Sequence, residues 1–263
     1  MKVHLFGATS SPGCANYGFK KAADDGEAEF GSDAASYIRD DFYVDDGLQP
    51  QWEKWRSEIS KLEKLNVPRC YKPLNFGKVK CTELHHLSDA SFDGYGQCSY
   101  LRLVNEEDKV CCSLVTAKSR VTPLRQMTVP RRELTAATVS AKMSTFLRKE
   151  LTVAKPQELF WTDSQVVLGY IRNEARRFHF FVANRVQQIH DETNPKRWFY
   201  VNTEDNPADE ASRGTTAKEL VESSRWLVGP KFLHEKGEFK IPTEQYKASC
   251  GKDDPEVCLL CLQ

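Results

Sequence analysis

The chain has 263 residues, 40% hydrophobic and 28% charged, which excludes a disordered polymer and allows one large domain or two small ones. Lys plus Arg and Asp plus Glu stand at 37 each, so net charge alone names no nucleic-acid partner. Nine cysteines at irregular spacings, with no apolar signal stretch near Met1, lead us to expect reduced thiols in an intracellular compartment, cytoplasm or nucleus. No apolar run reaches membrane-spanning length, so no membrane partner is expected.

Residues 1–48 combine small-residue runs such as ATSSPGCANYG with an acidic stretch and the segment FYVDDGL at 42–48. From Asp24 to Asp46 nine acids face one base, Arg39. Asp45 and Asp46 adjoin at the tip of an apolar run, and such a pair is costly unless solvent or a cation screens it. In residues 51–66, Trp52, Trp55, Ile59, Leu62 and Leu65 recur at helical spacing, which predicts an amphipathic helix ended by Pro68.

From about residue 80 the pattern becomes regular. CTELHHLSDAS reads as a strand closing on an acid, and GQCSYLRLV and KVCCSLVTA as two more strands joined by the polar turn NEED. A basic loop follows, then a long helix opening at PRREL, where Pro130 suits a first turn, and running to about Leu151. Leu159–Trp161 is a short buried strand feeding a helix whose N-cap is Thr162 or Asp163. A further helix spans roughly 178–192, with Phe181, Val182, Val186 and Ile189 on one face. RWFYV is a last strand, and NPADEASRG opens a short helix. The order β-β-β-α-β-α-α-β-α predicts a mixed sheet with helices packed on it. The stretch after about residue 235 reads as a polar, disordered tail. Its Cys250, Cys258 and Cys261 offer only three ligands of a fourfold zinc site.

Four acids fall at element ends where side chains can converge: Asp89 in LSDAS, Glu133 in PRREL, Asp163 in FWTDS and Asp209 in NPADEASRG. Each has an ordinary structural role open to it, as a turn residue (Asp89), a first-turn helix acid (Glu133), an N-cap (Asp163) or an exposed helix acid (Asp209). Their conjunction points elsewhere. Clustered carboxylates raise one another's pKa unless divalent cations neutralise them, and Mg²⁺ favours oxygen ligands. A basic stretch without acids, Lys118, Arg120, Arg125, Arg131 and Arg132, is suited to phosphates, with a solvated loop as its ordinary alternative. Arg172, Arg176, Arg177 and Arg185 follow on later helices.

From about Trp52 to Leu233 the chain resembles the RNase H region of Pao/BEL-type LTR retrotransposon polyproteins. The matching stretches are LSDASFDGYGQCSYLRL, AKSRVTPLRQMTVPRRELTAA, FWTDSQVVLGYI, FHFFVANRVQQI and EDNPADEASRG. The resemblance implies an α/β, RNase H-like mixed five-stranded sheet with flanking helices. It implies a metal site of Asp89, Glu133, Asp163 and Asp209 holding two Mg²⁺ or Mn²⁺ ions. Asp89 would bridge both, Glu133 and Asp163 would complete one, and Asp209 would hold the other with the attacking water. The implied substrate is an RNA–DNA hybrid cut on its RNA strand, its phosphates met by Lys118, Arg120, Arg125, Arg131, Arg132 and Arg185. Tyr95 and Asn184 are further candidate groove contacts. Two departures stand out: Glu210 follows the last aspartate where the family has an apolar residue, and the loop VNTED lacks the histidine of cellular RNases H.

VHLFGATSSPGCAN and FYVDDGL resemble a reverse-transcriptase palm, with Asp45 and Asp46 as a vestigial catalytic pair. The third aspartate, fingers and thumb of a polymerase are missing, so no polymerase activity is expected. The implied organisation is a truncated palm remnant at 1–48, a connecting helix and linker at 49–75, an RNase H-like domain at 76–235 and the tail at 236–263. An inert relic that binds nucleic acid, or nothing, is the alternative. An integrase-type relative is disfavoured because the glutamate comes second here rather than last. The sequence assigns no oligomeric state.

Overall fold

Val79–Ala90 forms β1, buried at every residue from Glu83 onward. A strand buried on both faces needs a neighbour on each edge and loses the clean alternation of a half-exposed strand. β2 (Gly94–Asn105) pairs with it antiparallel across the turn Ser91–Asp93, and β4 (Gln157–Thr162) pairs with it in parallel. β3 (Val110–Val121) extends the hairpin and β5 (Trp198–Tyr200) runs parallel to β4. The five-stranded order is therefore β3-β2-β1-β4-β5, the mixed sheet that the sequence predicts. These coordinates come from a computed structural model that describes residues 53, 56–68, 70–122, 127–151, 156–173, 177–222, 225–239 and 254–257. Asp45 and Asp46, Trp52 and Trp55, Arg125, Arg176 and the tail cysteines lie outside them.

The chain divides into two units, Met1–Ser60 and Lys61–Gln263, and the sheet belongs to the second. Of the predicted helix over 51–66, residues 56–58 are helical, but Ile59–Lys64 winds as a 3-10 helix. Ile59, Leu62 and Leu65 recur every three residues, a spacing that aligns on a three-residue turn as readily as on an α-helical face.

A parallel pair requires a crossover, and α1 (Val129–Glu150) makes it between the hairpin and β4. Pro130 occupies its first turn, where a missing N–H costs nothing. Its buried stripe of Leu134, Ala137, Ala141, Ser144 and Leu147 faces the sheet. α2 (Gln165–Arg172) and α3 (Phe180–Glu192) complete that layer, α3 burying Val182, Val186 and Ile189. The layer closes on a stack of His86, Phe160 and Trp198 with ring centroids 4.8 Å apart at each step. α2 is capped by Ser164, whose hydroxyl accepts from the Val167 amide at 3.2 Å, rather than by the expected Thr162 or Asp163. The strand runs on through Thr162, and the cap one residue past Asp163 leaves that carboxylate uncommitted to the helix.

Alternation along β4 sends Leu159 and Trp161 to the opposite face, with Leu87, Tyr100 and Phe199. There α4 (Ala208–Arg213), α5 (Ala217–Glu222), α6 (Arg225–Val228) and the segment that follows lie over the sheet. Fully buried Arg102 on β2 holds that segment: Nε donates to Leu233 O at 2.7 Å, and Nη2 donates to Glu235 O at 2.6 Å and Gly237 O at 2.8 Å. Its Nη1 meets Glu83 at 2.7 Å, and the Phe239 amide donates to the other oxygen of Glu83 at 3.1 Å. Phe239 then packs edge-on to His85 and Trp161. Residues 254–257 are also engaged: Val257 bridges Phe178, Asp254 accepts from the Tyr170 hydroxyl, and Glu256 pairs with Arg131. The described parts of the expected loose tail are thus engaged, through the Gly237 carbonyl, the Phe239 amide, Asp254 and Glu256, by partners on the domain.

β2 carries glycine at 94 and 96, where α4 lies directly on the strand. A Cβ at Gly96 would stand 2.6 Å from the Ala211 Cβ, and one at Gly94 would stand 2.8 Å from the Ser212 carbonyl. Gly96→Ala is expected to destabilise the domain by about 1–3 kcal/mol through overpacking and to shift α4, as measured by urea denaturation. An unchanged denaturation midpoint would show that α4 moves off without cost.

Candidate active site

The last registered pair of the parallel ladder is Ser88↔Thr162, so Asp89 and Asp163 follow one step later on adjacent strands. They stand at the carboxyl ends of the central strands, where open α/β sheets place their ligands. α1 brings Glu133 to this edge in its second turn, and α4 brings Asp209 in its first. Four elements distant in sequence thus carry the four expected carboxylates to positions where they influence one another's charge.

Electrostatics report their proximity. Asp89 is 6% exposed, and burial pushes its carboxyl up to about 6; the Ser212 hydroxyl opposes this and the charges of Asp163 and Asp209 add to it. Burial pushes Glu133 up to about 7, opposed by the Ser164 hydroxyl and reinforced by Asp163 and Asp89. Asp163 is raised by burial, opposed by Thr203 and reinforced by Asp209. These neutral-leaning carboxyls have a measurable consequence. With a chelator present, Asp89 and Glu133 hold protons in the folded state up to about 6 and about 7, against ordinary values of 3.8 and 4.5. The folded state therefore binds more protons than the unfolded chain across that window, and stability is expected to fall as pH rises through it. Thermal denaturation across that range checks this, and stability that rises with pH would remove burial as the dominant effect.

Each carboxylate has its own donor. Ser212 Oγ donates to Asp89, Ser164 Oγ to Glu133 at 2.6 Å, Thr203 Oγ1 to Asp163 at 2.8 Å, and Arg213 Nε to Asp209 at 2.5 Å. Among the described residues no three His, Cys, Asp or Glu side chains stand together as a ready cation cage. The set nevertheless fits a hard divalent cation: all its donors are carboxylate oxygens, and the buried Asp163 Oδ1 has no hydrogen-bond partner. The sequence reading missed Ser164, Thr203, Ser212 and Arg213. The signal lies in the hydroxyls beside each acidic motif, as in TDS and ADEASR.

Glu210, the departure beside Asp209, turns away from the site to Arg225, whose Nε and Nη2 meet its Oε1 at 2.9 and 2.7 Å. An extra carboxylate is thereby neutralised by a cation from α6.

The expected cations separate into two sets. Lys118, Arg120 and Arg185 line one groove of about 530 Å³ together with Tyr95, Lys142 and Phe146, and among the described residues no acid lines it. Arg131 is instead held by Glu256, Nε to Oε1 at 2.6 Å and Nη2 to Oε2 at 3.0 Å. Arg132 is buried and donates to the Ser91 carbonyl at 2.7 Å. The sequence marks both as cations but cannot show that tertiary partners engage them. Asn184 is exposed on α3 and does not line the groove.

A mixed sheet of this order, with a crossover helix on one face and acids at the central strand ends, defines an RNase H-like fold. Residues 35–164 match the family model described as the Pao retrotransposon-like RNaseH-like domain. That stretch, which includes Asp89, Glu133 and Asp163, is therefore similar to the RNaseH-like domain of Pao-type retrotransposons. Among curated proteins none matches the chain. Solved structures with similarity include RNase H1 from the archaeon Halobacterium salinarum NRC-1, at 10% identity and TM-score 0.33, covering 54% of this chain and 98% of that one. LC11-RNase H1, solved in complex with an RNA/DNA hybrid, shows 13% identity and TM-score 0.35 over 52% of this chain and 99% of that one. The foamy viral protease-reverse transcriptase, also in complex with an RNA/DNA hybrid, shows 14% identity and TM-score 0.31 over 57% of this chain and 22% of that one. Among the described residues no helix is long and apolar enough to cross a membrane.

Proposed function

We propose that this domain is a divalent-cation-dependent nuclease that hydrolyses the RNA strand of RNA–DNA hybrids. The observation that carries the reading is the arrival of Asp89, Glu133, Asp163 and Asp209, from four separate elements, at one partly buried sheet edge where each of the first three feels its neighbours' charge. Uncompensated, this arrangement costs stability, and the positive charge of a bound divalent cation relieves it. Mg²⁺ or Mn²⁺, two ions per site, supplies charge neutralisation and water activation when bound. Asp89, Glu133, Asp163 and Asp209 are the groups that hold them.

The chain's own residues supply orientation. Ser164, Thr203 and Ser212 fix the carboxylates, while Lys118, Arg120, Lys142 and Arg185 track phosphates along the acid-free groove. A hybrid offers a wide, shallow minor groove in which the 2′-OH distinguishes the strand to be cut. In the reaction, water gives up a proton to solvent as its oxygen bonds to phosphorus, the bond from phosphorus to the leaving sugar oxygen breaks, and that oxygen takes up a proton from solvent. Asp45 and Asp46 take no part in this chemistry, and we assign no polymerase activity to residues 1–48.

The test is incubation of the purified full chain with a labelled RNA–DNA hybrid, with Mg²⁺ or with chelator. Cleavage of the RNA strand in Mg²⁺ alone is expected, with DNA duplex left intact. No cleavage in Mg²⁺ or Mn²⁺ would overturn the reading. Salt-dependent binding without turnover would favour the inert relic, toward which the separate donor of each carboxylate points.

A further inference from the structure

Phe92 stands at the tip of the β1–β2 turn, 79% exposed. A single exposed apolar residue is ordinary on a protein surface. This one differs in its mounting. The turn is tied by its own bonds, with the Ser91 amide donating to Gly94 O at 2.8 Å and the Ser91 hydroxyl accepting from the amides of Asp93 and Gly94. It is tied outward as well: the Ser91 hydroxyl donates to Ser212 O on α4 at 2.8 Å, and the Thr122 amide donates to Asp93 O. From α1, Arg132 donates to Ser91 O and sets its guanidinium 4.7 Å from the Phe92 ring centroid. Arg132 is buried, so the ring rests on a fixed support rather than on a mobile surface cation.

Both halves of this stack flank site carboxylates. Phe92 follows Asp89 by three residues, within about 10 Å along the chain, and Arg132 immediately precedes Glu133. One face of the ring is taken by the guanidinium, and the remainder is open to solvent. We propose that Phe92 is a substrate-positioning residue. Its free face packs against the nucleoside beside the scissile phosphate, on the minor-groove side of the hybrid, where sugars and base edges are accessible. The inference rests on the nuclease reading for its substrate. The contact itself is apolar, so it adds to affinity without adding to the salt dependence set by the groove cations.

The experiment compares full-chain wild type, Phe92→Ala, Phe92→Leu and Phe92→Tyr for hybrid binding by fluorescence polarisation, and for KM and kcat in Mg²⁺. Loss of a buried aromatic contact is expected to raise Kd and KM roughly tenfold or more in Phe92→Ala, with the slope of log Kd against log salt unchanged. kcat and the thermal midpoint should stay near wild type. Phe92→Tyr should restore binding and Phe92→Leu should restore it only in part. Wild-type affinity in both Phe92→Ala and Phe92→Leu would overturn the proposal and leave the ring as a cover for Arg132. A wild type that binds but does not cleave would overturn the nuclease reading, while the Kd comparison would still judge Phe92. A wild type that does neither would overturn both.

Discussion

Asp163→Asn is expected to abolish hybrid cleavage, by at least about a hundredfold, while the folded domain keeps or gains stability. The two effects have opposite signs because they arise from one cause. Asp163 is a partly buried acid whose ionised form is disfavoured first by burial and then by Asp209. The amide keeps the volume and can still accept from Thr203, but it carries no charge. It therefore relieves repulsion at the sheet edge and deprives a hard cation of one of its carboxylates. A structural N-cap would behave differently: its loss would lower the midpoint, and here the cap is Ser164. Single-turnover cleavage and a thermal melt on the same preparation check both halves. Undiminished cleavage would remove Asp163 from the site, and a lowered midpoint would make its role structural.

Arg102→Ala is expected to cost about 3–5 kcal/mol of folding stability, the usual penalty for removing one partner of a buried ion pair. The side chain is fully buried between Glu83 and the carbonyls of Leu233, Glu235 and Gly237. Deleting it leaves those carbonyls without their donor and strands the Glu83 carboxylate against His85 and the Phe239 amide. Burial works to raise Glu83, but those hydrogen bonds and the Arg102 charge together hold it down to about 2. The depressed value means that its contribution is present above its ordinary pKa of 4.5 and is lost as pH falls toward about 2. Urea denaturation at neutral pH, with proteolysis reporting release of residues 231–239, measures the effect. A cost below about 1 kcal/mol would mean that the segment is held by Phe232, Leu233 and Phe239 packing instead.

Much of the architecture was legible from local pattern. The apolar runs around Leu84, Leu101 and Leu159 announce strands. The stripe Leu134, Ala137, Ala141 announces a helix long enough to cross over. The four acids are legible too, because each sits where an element starts or stops. Legibility failed where a residue's role depends on a partner distant in sequence. Arg131 and Arg132 look alike as cations, yet one is held by Glu256 and the other supports a turn at Ser91. Glu210 looks like a disturbance to the site until Arg225 arrives from another helix. The segment after residue 235 reads as loose because its polar groups have no local partners, whereas Arg102 and Arg131 supply them across the fold.

By itself the sequence determined which side chains carry chemistry, in what order, and on what kinds of element, since those follow from residue type and short-range periodicity. Only the tertiary structure decided that Asp89 and Asp163 share a parallel register, that Gly94 and Gly96 let α4 approach with Asp209, and that Ser212, Thr203 and Ser164 hold the acids. The physical reason is that strand pairing and helix docking bring together residues more than 120 positions apart, and no local signal encodes the pKa that such a meeting produces.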